Sequence, residues 1–311
     1  MSFTAQVKDE LSRVEGTCPE CAYAQLSAII RVCGTLSFKG SGRYALRVAT
    51  ETGAVARTMI KVTHELFDLD TPLVVRRSNL HKTRNYLIQI PEQGELEGAL
   101  VRLGILVPGQ GIVPGVPEWL VARPCCERAF LRGTFMAGGF IANPTGDFHL
   151  EIAVSGEAYA QAIIEACAHV GVGARLNRRR GLWVVYVKSY RDISALLVAM
   201  GGMRSATAAE RVRAMKSQKN DVNRRVNAEM ANQARSSGAA VDQLDLIARI
   251  EETGGLEGLS PALAEFCRLR RAHPELSLVA LGRLCDPPVG KSAMHHRVRR
   301  LQEGLEARGA R

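Results

Sequence analysis

No stretch of the 311-residue chain comes near twenty uninterrupted apolar residues, so a membrane-spanning helix is excluded. The opening MSFTAQVKDELSRV carries charges throughout and lacks the apolar run of a signal peptide, which makes the cytoplasm the expected compartment. Nor is there a phosphate-cradling loop. Gly104 to Gly115 is rich in glycine but has neither the P-loop pattern nor its lysine. Disulfides are not expected either, because thiols stay reduced in such a compartment.

What the chain does have is eight cysteines and a net charge of +10. Cys18-x-x-Cys21 has metal-ligand spacing, but its natural complement, Cys125-Cys126, does not, since adjacent residues rarely close on one tetrahedral ion. The cysteines are therefore read as packed thiols, with no metal and no cofactor. The positive charge, carried mostly by arginine, is compatible with phosphate contacts to nucleic acid, but by itself it is a weak indicator.

The chain repeats internally. LSAIIRVCGTLSF from Leu26 and FLRGTFMAGGFIA from Phe130 superpose at a shift of 104 residues, which pairs Gly34 with Gly138 and Cys33 with Ala137. Alternating strand patterns follow each copy, at 43–52 and 147–155, then helical patterns at 55–67 and 157–171. Two further strands and a short helix close each half. The unit reads helix, two strands, helix, two strands, helix. Two copies make a pseudo-symmetric α+β domain over 23–202, with repeats at about 23–103 and 127–202, after an N-terminal helical segment at 1–22. Three glycines in LRGTFMAGGF each cost a helix interior roughly 1 kcal/mol. Close packing of the two first helices would offset that cost, with Gly34, Gly133, Ala137 and Gly138 on the shared face.

From about residue 203 the strand signals stop. A polar helical linker is expected over 203–238, with a hinge at Ser236-Ser237-Gly238. Its Asn223, Arg224, Arg225, Asn227 and Asn232 are residue types that contact phosphates or base edges, and they suit a solvated linker equally well. The arginines of the hairpin stretch Arg178-Arg179-Arg180 are a further candidate of the same kind, and turn arginines are as a rule simply solvated. An all-helical domain is expected over 239–311. In it a short helix, ELSLVALGRLC, and a final helix, SAMHHRVRRLQEGLEA, flank the turn DPPVGK. Leu278, Leu281 and Leu284 line one apolar face; Met294, Val298, Leu301 and Leu305 line the other. In a helix-turn-helix the second helix enters the major groove. Lys291, Ser292, His295, His296, Arg297, Arg299 and Arg300 stand where base and phosphate contacts are made, and arginine can pair bidentately with guanine.

LRGTFMAGGF resembles the LAGLIDADG motif of homing endonucleases, with Leu131, Gly133, Ala137 and Gly139 at motif positions. The resemblance implies paired motif helices carrying two four-stranded sheets. It also places Gly34 and Gly138 where those enzymes have metal-binding acids. Glycine offers no ligand atom beyond its backbone, so catalysis is not expected. Joined to a helix-turn-helix, this combination is similar to the WhiA family of bacterial transcription regulators, and CCERAFLRGTFMAGGF, NRRVNAEMANQA and GKSAMHHRVRRL carry the similarity. That resemblance implies sequence-specific binding of double-stranded promoter DNA, control of sporulation or cell-division genes, a nucleoid location, and partners such as a WhiB-like iron–sulfur protein and RNA polymerase. Two other readings stand beside it: an active metal-dependent homing endonuclease, and a scaffold that senses a ligand or a protein.

Overall fold

A computed structural model describes residues 2–40, 43–77 and 84–309. Ser78, the last residue of the strand expected from LVVRRS at 73–78, and residues 310 and 311 of the expected C-terminal domain lie outside them. The chain divides into two compact units, 1–216 and 217–311. This division differs from the boundaries at 202 and 238 read from composition.

In the first unit, helix α1 (Phe3–Leu11) precedes two copies of one motif. The first copy runs α2 (Glu20–Cys33), β1 (Gly34–Phe38), β2 (Tyr44–Thr50), α3 (Gly53–Leu66), β3 (Leu73–Arg77), β4 (Arg84–Ile90) and α4 (Leu96–Arg102). A small hairpin, β5 (Leu106–Val107) and β6 (Gly111–Ile112), and a short helix α5 (Glu118–Val121) intervene. The second copy runs α6 (Pro124–Gly138), β7 (Gly139–Ile141), β8 (Leu150–Val154), α7 (Glu157–His169), β9 (Arg175–Arg179), β10 (Leu182–Val187) and α8 (Tyr190–Met200). Each copy forms an antiparallel four-stranded sheet, in the orders β1-β2-β4-β3 and β7-β8-β10-β9. Alternation fixes which face is buried. In β2, Leu46 and Val48 enter the core while Arg47 and Ala49 stay outside; in β8, Leu150, Ile152 and Val154 enter the core.

The two motif helices, α2 and α6, pack on one another at the centre of this core. A Cβ on Gly133 would lie 2.4 Å from the Gln25 carbonyl oxygen and 2.9 Å from the Ala28 Cβ, so only glycine permits the approach. A Cβ on Gly138 would lie 2.7 Å from Val32 Cγ1. Two of the expected interface residues thus face the twin helix. Gly34 does not: its Cβ would strike the Ile30 carbonyl of its own helix at 2.3 Å, because the chain turns there from helix to strand. Ala137 lines a surface cleft with Lys8, Thr50 and Phe140. Buried Arg132 braces the pair, donating from Nε and Nη2 to Gln25 Oε1 at 3.2 and 3.1 Å and from Nη1 to the Met200 carbonyl at 3.2 Å.

The helix ends also correct the internal alignment. Gly34 follows α2 in an extended conformation and its N–H bonds the Ile30 carbonyl; Gly139 follows α6 in the same conformation and bonds the Phe135 carbonyl. Gly34 therefore corresponds to Gly139, a shift of 105 residues, and Gly138 corresponds to Cys33. The residue at the metal-acid position of the first copy is Cys33, not Gly34.

Helix α1 joins the second copy to the long helix α9 (Met203–Gly254). Thr4 Oγ1 donates to the Ile141 carbonyl at 2.8 Å and accepts from the Ile141 N–H at 3.1 Å, closing the edge of β7. Glu10 accepts from the backbone N–H of Arg204 and Ser205 at 2.7 and 2.9 Å, placing a carboxylate on the unsatisfied N–H groups that open α9.

Helix α9 is continuous through Ser236, Ser237 and Gly238, so the expected hinge is absent. One glycine costs a helix about 1 kcal/mol, too little to break it where Ala239 and Ala240 follow and Ala240, Ile247 and Ile250 are buried. In the second unit, the 243–250 stretch of α9 packs with α10 (Pro261–Ala272), α11 (Leu278–Arg283) and α12 (Lys291–Gly309). Its small core holds Ile247, Ile250, Phe266, Leu281, Met294 and Leu301. Leu284, expected on the apolar face, is 48% exposed because it lies past the end of α11.

Candidate nucleic-acid interface

Local rules set the α11–α12 pair. Ser277 caps α11, its hydroxyl accepting from the Ala280 N–H at 3.2 Å. The turn folds back tightly: the Val289 N–H donates to the Gly282 carbonyl at 2.8 Å, and a Cβ on Gly282 would lie 2.3 Å from the Val289 carbonyl oxygen. Buried Arg270 secures the preceding loop, donating to Gln243 Oε1 at 2.9 Å and to the Leu276 carbonyl at 2.6 Å. Met294 and Leu301 anchor α12 in the core.

This seating divides the residues expected to touch DNA. Lys291, Ser292, His295, His296, Arg299 and Arg300 are exposed. At 3.6 residues per turn all but Lys291 spread across the half of α12 opposite Met294 and Leu301, and Lys291 stands on its flank. Arg297 is not among them. It sits on the inner flank, where Nη1 donates to Glu265 Oε2 of α10 at 2.9 Å, and its side chain is 15% exposed. The Asp286 N–H donates to the other Glu265 oxygen at 3.0 Å. These two contacts, that of Asp286 first, hold the Glu265 carboxyl below its ordinary range. Arg297, expected among the DNA contacts, instead joins α12 to α10 in this structure. On the outer face Arg299 reaches Glu303 one turn on, at 3.4 Å in an exposed pair that a phosphate or base could replace.

His295 lines two adjoining grooves between α12 and the 232–246 stretch of α9. Asn232 and Arg235 line the same groove as Lys291, which brings one of the five expected linker residues beside α12. Asn223, Arg224, Arg225 and Asn227 lie further toward the helix N-terminus, all exposed. Asn223 and Asn227 share a face, and Arg225 points elsewhere. Sequence reading passed over Arg235, whose guanidinium donates to Asn232 Oδ1 at 2.6 Å.

The remaining arginines belong to the other unit. Arg178 stacks on Trp183, 5.3 Å from the ring centroid, while Arg179 and Arg180 are exposed at the β9–β10 turn. Arg180 takes φ of 52° and Gly181 φ of 81°, the two left-handed residues of a tight hairpin.

At the ends of the motif helices, Cys33 and Gly138 supply no carboxylate. Lys8 of α1, which is 8% exposed, interacts electrostatically with Cys33. Burial pushes its pKa down to about 8 against the pull of Cys33 and Glu51, so at neutral pH an ammonium stands close to the first of these positions. Asp147 precedes β8, and Glu151 on its outer face pairs with His149 at 3.1 Å.

The fold brings together two cysteine pairs that sequence spacing kept apart. The sulfurs of Cys18, Cys21, Cys125 and Cys126 lie within 4.8 Å of one another. Cys125 and Cys126 occupy the first turn of α6, beside the N-terminal end of α2, and the pairing of the two helices supplies the convergence that sequence spacing omits. Among the described residues no helix is long and apolar enough to cross a membrane.

A duplicated αββαββα domain without acids at its motif-helix ends, followed by a helical unit with an exposed basic second helix, defines a degenerate LAGLIDADG-like protein bearing a helix-turn-helix. Family profiles agree along the chain: the WhiA N-terminal LAGLIDADG-like domain matches residues 19–106, the WhiA LAGLIDADG-like domain 127–219, and the WhiA C-terminal HTH domain 222–304. The probable cell division protein WhiA of Clostridium novyi is 38% identical over 310 residues, covering 98% of each chain. That of Desulfitobacterium hafniense strain Y51 is 39% identical over 307 residues, covering 98% of this chain and 96% of its own. The crystal structure of full-length DUF199/WhiA from Thermatoga maritima superposes with a TM-score of 0.60 at 23% identity, covering 99% of both chains. The chain belongs to the WhiA family.

Proposed function

We propose that the protein is a sequence-specific DNA-binding regulator that reads double-stranded promoter DNA through the outer face of α12. The observation that carries this reading is the segregation on that helix. Six polar or basic side chains face outward over its first three turns, and the one inward arginine is neutralised by Glu265. Arg299 and Arg300 suit guanine edges or phosphates, and Lys291 suits phosphate. Asn232 and Arg235 flank the same face. Control of cell-division or sporulation genes, with RNA polymerase or a WhiB-like protein docking on the first unit, is the finer form of this reading. The names of its relatives and the family resemblance support it.

The first unit acts in this reading as a platform rather than a nuclease. Metal-assisted phosphodiester cleavage needs carboxylates that hold hard cations. Cys33 and Gly138 offer none, and the Lys8 ammonium repels a divalent ion. The test is selection of duplexes from a random pool by the full chain, followed by incubation of the selected DNA with Mg²⁺ or Mn²⁺. Enrichment of one motif without cuts is expected. Metal-dependent cuts at a fixed position would make the protein an endonuclease, and no enrichment would remove sequence-specific recognition.

A further inference from the structure

We propose that Cys18, Cys21, Cys125 and Cys126 bind one zinc ion as a closed tetrathiolate site that staples the two copies of the duplicated domain together. Cys18 Sγ lies 3.4 Å from Cys21 Sγ and 3.5 Å from both Cys125 Sγ and Cys126 Sγ, and all four sulfurs lie within 4.8 Å of one another. Zinc–sulfur bonds of about 2.3 Å in a tetrahedron put the sulfurs about 3.8 Å apart. The three pairs made by Cys18 are already within about 0.4 Å of that spacing, and no pair exceeds 4.8 Å. They are too far apart to be disulfide-bonded, since a disulfide needs about 2.05 Å. They are also too close together to enclose a multi-iron core.

The donor set decides the class of ion. Four sulfurs and no oxygen select a thiophilic metal over magnesium or calcium, and four protein ligands leave no open position, which marks a structural site rather than a catalytic one. The surroundings favour the anionic complex. Cys21 stands in the first turn of α2, and Cys125 and Cys126 in the first turn of α6, where both helices present partial positive charge. Arg123, held by Glu20 at 3.0 Å, adds a guanidinium beside Cys18. Cys21 and Cys126 are buried, whereas Cys18 and Cys125 are half-exposed, so an ion can enter from solvent and displace the thiol protons into it. A Cβ on Gly16 would fall 2.6 Å from Cys21 Cβ, so the chain before Cys18 folds directly over the site.

The full-length chain, purified under reducing conditions without chelator, is assayed for metal by elemental analysis, and after cobalt exchange by visible absorption. The expected result is one equivalent of zinc and the intense visible bands of a tetrahedral cobalt thiolate. Cys18→Ser should lose both, and Cys167→Ser, a buried thiol elsewhere in the core, should keep them. Should Cys18→Ser fail to fold, thiol counting on the wild-type chain decides the matter, with four cysteines becoming reactive to a thiol reagent only after chelation. A chain without metal that still refuses added Zn²⁺ with its thiols reduced would overturn the proposal. So would metal retained by Cys18→Ser. Neither readout depends on whether the protein binds DNA.

Discussion

The guanidinium of Arg297 donates to the carboxylate of Glu265 at 2.9 Å, so the arginine in the middle of the exposed basic helix is a packing residue of the second unit. Arg297→Ala leaves Glu265 half-buried without its cation. A hydrogen bond to a charged group contributes about 1.5–3 kcal/mol, and a loss of that order is expected in denaturant unfolding. DNA affinity measured on the folded fraction should change little. Because the folded pKa of Glu265 is lowered, the contribution of the pair is present above the unfolded carboxyl value near 4.3 and disappears as pH falls through the lower folded value. The stability gap between wild type and Arg297→Ala should therefore close in acid.

Gly133 sets the distance between the twin helices. Gly133→Ala improves helix propensity by about 1 kcal/mol but drives a methyl into the Gln25 carbonyl, so a net loss of about 1–3 kcal/mol is expected. Gly98 in α4 has nothing within 4 Å of its missing Cβ, and Gly98→Ala should instead stabilise by up to about 1 kcal/mol. Chemical denaturation of the two variants separates close approach from propensity.

Lys8 titrates at about 8 in the folded chain and near 10.4 when unfolded. Between these values the unfolded chain binds more protons, so this group makes stability rise with pH across that window. Below about pH 8 the native state carries the full cost of a buried ammonium. Lys8→Met should be the more stable protein there, by at most about 3 kcal/mol, and the difference should vanish above pH 10.4. Unfolding at a series of pH values checks the sign.

Arg180 holds a left-handed conformation that glycine adopts without strain. Arg180→Gly should raise stability by about 1 kcal/mol in thermal or denaturant unfolding.

Much of this architecture is legible in the residues themselves. Alternation in YALRVAT and the apolar spacing of α11 and α12 lead directly to a half-buried strand and to a helix pair, because these are local consequences of period. What escaped is non-local. Arg297 looks like its neighbours until Glu265 is brought to it from another helix. Cys125-Cys126 fails as a ligand pair until α6 is laid beside α2. Matching Gly34 to Gly138 aligned residue types, whereas a helix ends where its backbone turns extended, one residue later in the second copy. Ser236-Ser237-Gly238 reads as a break because turn-forming residues cluster there, yet their small propensity cost is outweighed where Ala240, Ile247 and Ile250 are buried on the same helix.

The central claim rests on the outer face of α12, and one titration tests it most directly. Duplex DNA selected by the wild-type full-length chain is titrated with wild type, with Arg299→Ala and with the Arg178, Arg179, Arg180 triple alanine variant, at two salt concentrations. Arg299→Ala should weaken the selected duplex by about 1–3 kcal/mol relative to a scrambled one, while the triple variant keeps that preference. If Arg299→Ala leaves the preference intact and the triple variant abolishes it, the duplicated domain reads the sequence and α12 does not.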